Sequence, residues 1–351
     1  MIESSPQLEL LLQELRQSNR IAIDTEADSL HSYPGRLCLV QLAFDQKIEL
    51  VDTLADIKIE VLMAVLKQKP LIFHAADYDL RLLYLECEFM PEEIFDTMLA
   101  AKLLGKTEIG LAALSKSCLG VDLPKTSQKA DWGKRPLTDR MDEYARNDVR
   151  YLFELADNLK DQLVAKQRLS WHEEWCRKFV KDACDIEPSD PDKVWRLKGS
   201  NALDRRGLAI LREIWHWREN EALTAGKPPY FVLSHQNAIE IARCETQGIP
   251  STVTLKRMST RRKAGLNEAI DRAFAIPDAE LPDKLRNRGK RLTDRQLKAM
   301  SDYQNKRDKA AEELAIDPTI IASKGTLLEL IRNPEKGIPK LMSWQKTCLG
   351  I

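Results

Sequence analysis

No stretch of this 351-residue sequence approaches the roughly 20 consecutive apolar residues of a membrane span, and no basic-then-apolar leader opens it. With a mean hydropathy of −0.39, the chain is expected to be soluble and cytoplasmic. The seven cysteines (Cys38, Cys87, Cys118, Cys176, Cys184, Cys244, Cys348) include no CxxC pair, which argues against a zinc ribbon and a disulfide framework and predicts reduced, mostly buried thiols. Aromatic residues are scarce at 6%. Trp215 and Trp217 follow the apolar pattern of a long helix and are expected in a core. Net charge is missing too, with 54 basic against 54 acidic side chains. That balance conceals two opposed parts: residues 1–195 carry 25 basic and 35 acidic side chains, residues 196–351 carry 29 and 19. An acidic half joined to a basic half predicts a division of labour.

The acidic half alternates strand-like and helix-like stretches. Residues 21–29 begin as a β-branched run, 36–44 form a continuous apolar strand, and 48–53 and 71–75 read as two more. Residues 59–68 and 79–89 have the i, i+3, i+4 spacing of helices packed on a sheet. This rhythm predicts an α/β layer fold whose first three strands, joined by short turns, form an antiparallel meander before the parallel part. From about Phe95 the pattern is helical, with a long helix over 137–167. This first domain, over 1–185, is followed by a linker at 186–199, marked by Pro188 and Pro191.

The basic half repeats itself at an offset of 89 residues. Residues 203–243 overlie 292–332 without a gap, with identical pairs at Leu203/Leu292, Arg206/Arg295, Leu208/Leu297, Arg218/Arg307, Pro229/Pro318, Ser234/Ser323 and Arg243/Arg332. The unit reads as a long helix, a proline turn, a short apolar segment, a serine N-cap and another helix. Two small all-α domains are expected, over 200–280 and 285–351.

Three clusters carry chemistry. Asp24 and Glu26 lie two apart on a strand and so share a face; like charges that close repel unless a cation lies between them. Asp77 and Asp79 follow His74 at the end of the fourth strand, where an aspartate ordinarily caps a helix and either acid satisfies the spacing. Tyr144 and Asp148 are four apart on one helical face.

In this order, with IDTEADSLHSYPGRLCLVQLA, LIFHAADYDLRLL and ADWGKRPLTDRMDEYARNDVRYL around them, the residues resemble the DEDD exonuclease superfamily, tyrosine subclass, and ribonuclease D in particular. The repeated C-terminal units resemble HRDC modules. The resemblance implies a ribonuclease H-like mixed sheet with flanking helices, followed by two helical domains, and a 3′-to-5′ exoribonuclease releasing 5′-mononucleotides. It implies that Asp24, Glu26, Asp79 and Asp148 hold two divalent cations, Mg²⁺ or Mn²⁺, ions suited to oxygen-only ligands. Asp24 would bridge both, Glu26 and Asp148 would complete the water-activating site, and Asp79 would serve the leaving-group side. The family pattern puts its aspartate directly before an apolar leucine, which selects Asp79, before Leu80, over Asp77. Tyr144 would position the water or help deprotonate it, and His74 would contact the terminal nucleotide. Asp28 reads as a loop residue, and Asp131 with Trp132, Arg135 and Pro136 as an ordered loop before the third-motif helix.

The basic half is expected to hold RNA. Residues 256–263 supply Lys256, Arg257, Arg261, Arg262 and Lys263, and 284–291 are equally basic. Cations with few aromatics favour backbone and shape recognition with strong salt dependence. The family analogy implies tRNA precursors with 3′ extensions as substrates. The alternatives are a DNA exonuclease with the same carboxylates, or an RNA-binding protein whose nuclease site is silent.

Overall fold

The computed structural model describes residues 1–124, 127–187, 190–251, 253, 255, 256, 258–285 and 291–351. The chain divides into two compact units, one formed by Met1–Ala27, Leu37–Ile186 and Lys290–Ile351, the other by Asp28–Arg36 and Glu187–Gly289.

The first unit is built on a five-stranded sheet. After helix α1 (Ser5–Gln17) come β1 (Ile21–Ala27), β2 (Leu37–Phe44) and β3 (Lys47–Asp52), then α2 (Ile59–Leu66), β4 (Pro70–Phe73), α3 (Asp77–Cys87) and β5 (Glu93–Asp96). The strand order is β3-β2-β1-β4-β5. As the strand rhythm predicts, β1, β2 and β3 pair antiparallel, while β4 joins β1 in parallel. The four-residue β5, parallel to β4, is too short to show a period and lies where the sequence reads as helical. Helices α4 (Thr97–Leu103), α5 (Leu111–Leu119), α6 (Asp139–Arg150), α7 (Leu152–Ala165) and α8 (Leu169–Cys184) follow. The expected long helix is thus two: Tyr151 (φ −112°, ψ 11°) leaves the helical range, although the apolar pattern runs across it.

Alternation along the strands explains both cores. Ile21, Ile23, Val40, Leu42 and Val51 face leucines of α1, α2 and α3. The opposite face sends Ala22, Ala43 and Ile72 against Val149 and Leu152, and Leu39 and Leu50 against Trp132, Met141 and Ala145. Every residue of β2 is therefore buried, the signature of a strand covered on both faces. None of the seven cysteines is in a disulfide, and four are buried.

The second unit contains α9 (Arg205–Ala225), α10 (Pro229–Val232), α11 (His235–Gln247) and α12 (Thr260–Ala275). Its core includes Trp217, as expected, and also Trp195 and Leu197 from the segment read as a linker. The segment Asp28–Arg36 belongs here. Asp28, wholly buried, accepts from the Arg36 backbone N–H (2.8 Å) and Nη2 (2.7 Å), and the Tyr230 hydroxyl donates to the Leu30 carbonyl.

The second repeat copy gives α13 (Asp294–Leu314), α14 (Pro318–Ile321) and α15 (Lys324–Arg332), matching α9, α10 and α11 element for element. Ser234 and Ser323 both cap as expected, accepting from the N–H groups of Asn237 and Thr326. With α16 (Pro334–Gly337) and α17 (Ser343–Leu349), this copy shares a core with the first unit. Ile321, Leu327 and Trp344 pack with Leu103, Leu155, Leu159 and Leu163. Buried Arg168 binds both parts, donating to the carbonyls of Leu103 (2.5 Å) and Leu314 (2.7 Å).

Candidate active site

Alternation along β1 turns Asp24 and Glu26 to the face covered by α6, while Thr25 points the other way. Where β4 ends, Ala75 adopts the left-handed region (φ 61°) and α3 begins two residues later. A buried carboxylate holds this bend: Asp96 accepts from the Ala76 N–H (2.8 Å) and caps α4 through the Leu99 N–H (2.9 Å). Thr97 donates its hydroxyl to the Phe73 carbonyl (3.2 Å) and lies 2.8 Å from His74 Nδ1. The bend thereby fixes the start of α3, which buries Asp79 where it accepts the Thr25 hydroxyl at 2.5 Å. Asp77 instead points to solvent and pairs with Arg81 across one helical turn, so the structure separates the two acids.

The third element, α6, is capped by Thr138, which accepts from the Met141 N–H. One turn separates Tyr144 from Asp148, and the tyrosine hydroxyl donates to the carboxylate. The loop before α6 is ordered, as expected. Arg135 forks onto Asp52 (2.5 and 2.7 Å) and also donates to the carbonyls of Trp132 (2.8 Å) and Cys38 (2.7 Å). That fork fixes the loop against β2 and β3, with buried Trp132 tilted against Tyr144 at 6.1 Å between centroids.

Carboxylate oxygens of Asp24, Glu26 and Asp148 all lie within 4.8 Å of one another. Asp79 stands close enough to raise the pKa of all three, yet its own hydrogen bond is with Thr25. Burial, reinforced by the neighbouring acids, pushes Asp24 well above the carboxylate range and Glu26 to about 9. Burial likewise raises Asp148 to about 7 and Asp79 to about 6, against hydrogen bonds from Tyr144 and Thr25 that pull them down. The Tyr144 phenol is pushed up by burial and by the same acids. His74 is held down to about 4 by burial and is neutral at physiological pH. A set of desolvated oxygens that repel one another, with no sulfur or nitrogen among them, fits hard divalent cations.

All five predicted catalytic residues and His74 therefore line one cleft of about 430 Å³, which Tyr78, Met98, Leu111 and Gln128 also border. The predicted RNA-binding residues belong to the second unit. Lys256 and Lys263 are exposed. Arg261 and Arg262 both pair with Glu221 (2.5 and 3.1 Å). Arg257, and residues 286–290 of the other basic run, lie outside the described residues.

A family model described as 3′-5′ exonuclease matches residues 1–164. A ribonuclease D from Jannaschia sp. is 30% identical over 279 residues, covering 75% of this chain and 71% of that protein. The chain belongs to the ribonuclease D family. A ribonuclease D from Gluconacetobacter diazotrophicus is 29% identical across the whole of this chain and 90% of its own length. The crystal structure of Escherichia coli RNase D, described as an exoribonuclease involved in structured RNA processing, superposes with a TM-score of 0.74 at 25% identity, covering 96% of this chain and 90% of that one. The protein is accordingly a 3′-5′ exoribonuclease, with a mixed sheet followed by helical units. Among the described residues, no helix is long and apolar enough to cross a membrane.

Several residues of the site escape motif reading. Thr25 is hidden inside the DxE spacing. Asp96 and Thr97 read as the start of a helix, and Asp52 as a strand end. Behind the site, Gln41, opposite Asp24 in the sheet, does carry a visible signal as a lone amide inside the apolar run LCLVQLAF.

Proposed function

We propose that this ribonuclease D-family enzyme removes nucleotides one at a time from RNA 3′ ends as 5′-mononucleotides, with tRNA precursors carrying 3′ extensions as its cytoplasmic substrates. The observation that carries the reading is the convergence of Asp24, Glu26 and Asp148 within 4.8 Å. Asp24, Glu26, Asp79 and Asp148 would hold two divalent cations, Mg²⁺ or Mn²⁺, which when bound would supply positive charge to acidify water and stabilise the phosphoryl oxygens. Asp24 is suited to both cations, Glu26 and Asp148 to the water side, and Asp79 to the leaving-group side. Tyr144, raised by its surroundings, keeps its proton and orients the attacking water through its hydroxyl while tied to Asp148. His74, neutral and fixed at Nδ1 by Thr97, borders the same cleft and meets the terminal nucleotide.

The repeated helices act as HRDC-like RNA-holding modules, with Lys256, Arg257, Arg261, Arg262 and Lys263 on the first. Glu221 draws Arg261 and Arg262 into ion pairs, leaving Lys256 and Lys263 as the more available cations. The test is digestion of a tRNA precursor and of matched RNA and DNA strands with Mn²⁺ or Mg²⁺. Tyr144→Phe should lower kcat by about 10²–10⁴-fold while leaving Mn²⁺ affinity intact. Preference for DNA, or unchanged turnover in that variant, overturns the reading.

A further inference from the structure

Gln41 occupies the middle of β2, between Val40 and Leu42, and is wholly buried. Neither its amide nitrogen nor its amide oxygen has a hydrogen-bond partner. Unpaired buried amides are rare because each sacrifices the hydrogen bonds it made to water. The register puts Gln41 directly opposite Asp24 on β1 and Leu50 on β3. Opposed residues of an antiparallel pair project to the same face, with Cβ atoms about 4.5–5.5 Å apart. Leu39 and Ala43 flank Gln41 on that face. Asp24 is thus the one ionisable residue among its cross-strand partners.

Asp24 has the complementary deficit. A backbone hydrogen bond from Thr25 reaches it, but among the described residues no side chain donates to it. Carboxylates that bind metal ions are themselves ordinarily hydrogen-bonded from behind. A donor with no acceptor therefore faces an acceptor with no side-chain donor. An apolar residue of similar size would fill the space without stranding any polar atom, so packing alone gives no reason for an amide here.

We propose that Gln41 is the positioning residue for Asp24, its side-chain amide donating to the Asp24 carboxylate when that carboxylate binds divalent cations. The proposal rests on the cation-binding reading of the site. It makes two effects of one substitution run in opposite directions. Gln41→Met, which removes both stranded atoms, raises the melting temperature of the protein in EDTA by about 2–4 °C. The same variant binds Mn²⁺ about 10–100-fold more weakly, as is typical when an outer partner of a ligand is lost.

The experiment pairs calorimetric titration of the full chain with Mn²⁺ and thermal denaturation in EDTA, for wild type, Gln41→Met and Gln41→Leu. Excess Mn²⁺ should restore RNA hydrolysis by both variants. Mn²⁺ affinity within twofold of wild type in both variants overturns the assignment. So does a lower melting temperature in EDTA for both, which would make Gln41 an ordinary structural residue. Failure of wild type itself to bind Mn²⁺ would sink the cation reading, and this proposal with it, and is recognisable because no variant is involved.

Discussion

Replacing Asp24 by asparagine should make the protein more stable without metal and less stable with it. At an effective dielectric of about 20, two unit charges 4.8 Å apart repel by about 3.5 kcal/mol. Three ionised carboxylates at that spacing would repel by about 10 kcal/mol, as much as the whole folding stability of many domains. The metal-free site avoids this by retaining protons: burial first, and this repulsion with it, holds Glu26 near 9 and Asp148 near 7. An acid whose folded-state pKa is raised stabilises the fold fully below its unfolded value, near 4, and loses that contribution as pH rises through the folded one. Metal-free wild type should therefore weaken between pH 5 and pH 9. Asp24→Asn should gain about 1–3 kcal/mol over wild type at pH 9 and little at pH 5. With Mn²⁺ at about 1,000 times its Kd, wild type gains about 4.1 kcal/mol, and the order of the two proteins reverses. The assay is urea denaturation at pH 5, 7 and 9, in EDTA and in Mn²⁺, alongside RNA hydrolysis, which should fall by about a thousandfold or more. An Asp24→Asn protein less stable than wild type in EDTA at pH 9, or stabilised equally by Mn²⁺, refutes the reasoning.

The same retained protons must leave when cations enter. Calorimetric titrations with Mn²⁺ at pH 7 in buffers of different ionisation enthalpy should report net proton release, shrinking towards pH 9; no buffer dependence would contradict the raised carboxylates. Arg135→Met should destabilise the fold by about 3 kcal/mol, because Asp52, 4% exposed, loses the fork that neutralises it. Adding Asp52→Leu should recover most of that loss, and a single-variant cost below about 1 kcal/mol in urea denaturation would show the fork to be incidental. Reversing Lys256 and Lys263 to glutamate should weaken RNA binding and flatten its salt dependence by about one unit of slope for each phosphate left unneutralised. Unchanged affinity across a salt series would remove them from the RNA surface.

What could be read from the chain was whatever local spacing records. A period of two put Asp24 and Glu26 on one face, a period of 3.6 joined Tyr144 to Asp148, and the 89-residue offset foretold the matching helices from Arg205 and Asp294. The unread parts depend on partners far along the chain. Asp96 earns its meaning only from the bend at Ala75, twenty-one residues earlier, and Arg135 from Asp52, eighty-three earlier. The choice between Asp77 and Asp79 rested on family wording, since only the folded α3 shows one facing solvent and the other Thr25. The break at Tyr151 leaves no mark, because leucines keep their rhythm through it.

The guanidinium of Arg168, shared between Leu103 and Leu314, makes the two repeats unequal in their obligations. A premature stop before residue 290 would leave the greasy flank of Leu103, Leu155, Leu159 and Leu163 wet and a cation staring at a missing carbonyl. Whoever trims this enzyme to its nuclease portion must carry the tail along, or expect inclusion bodies.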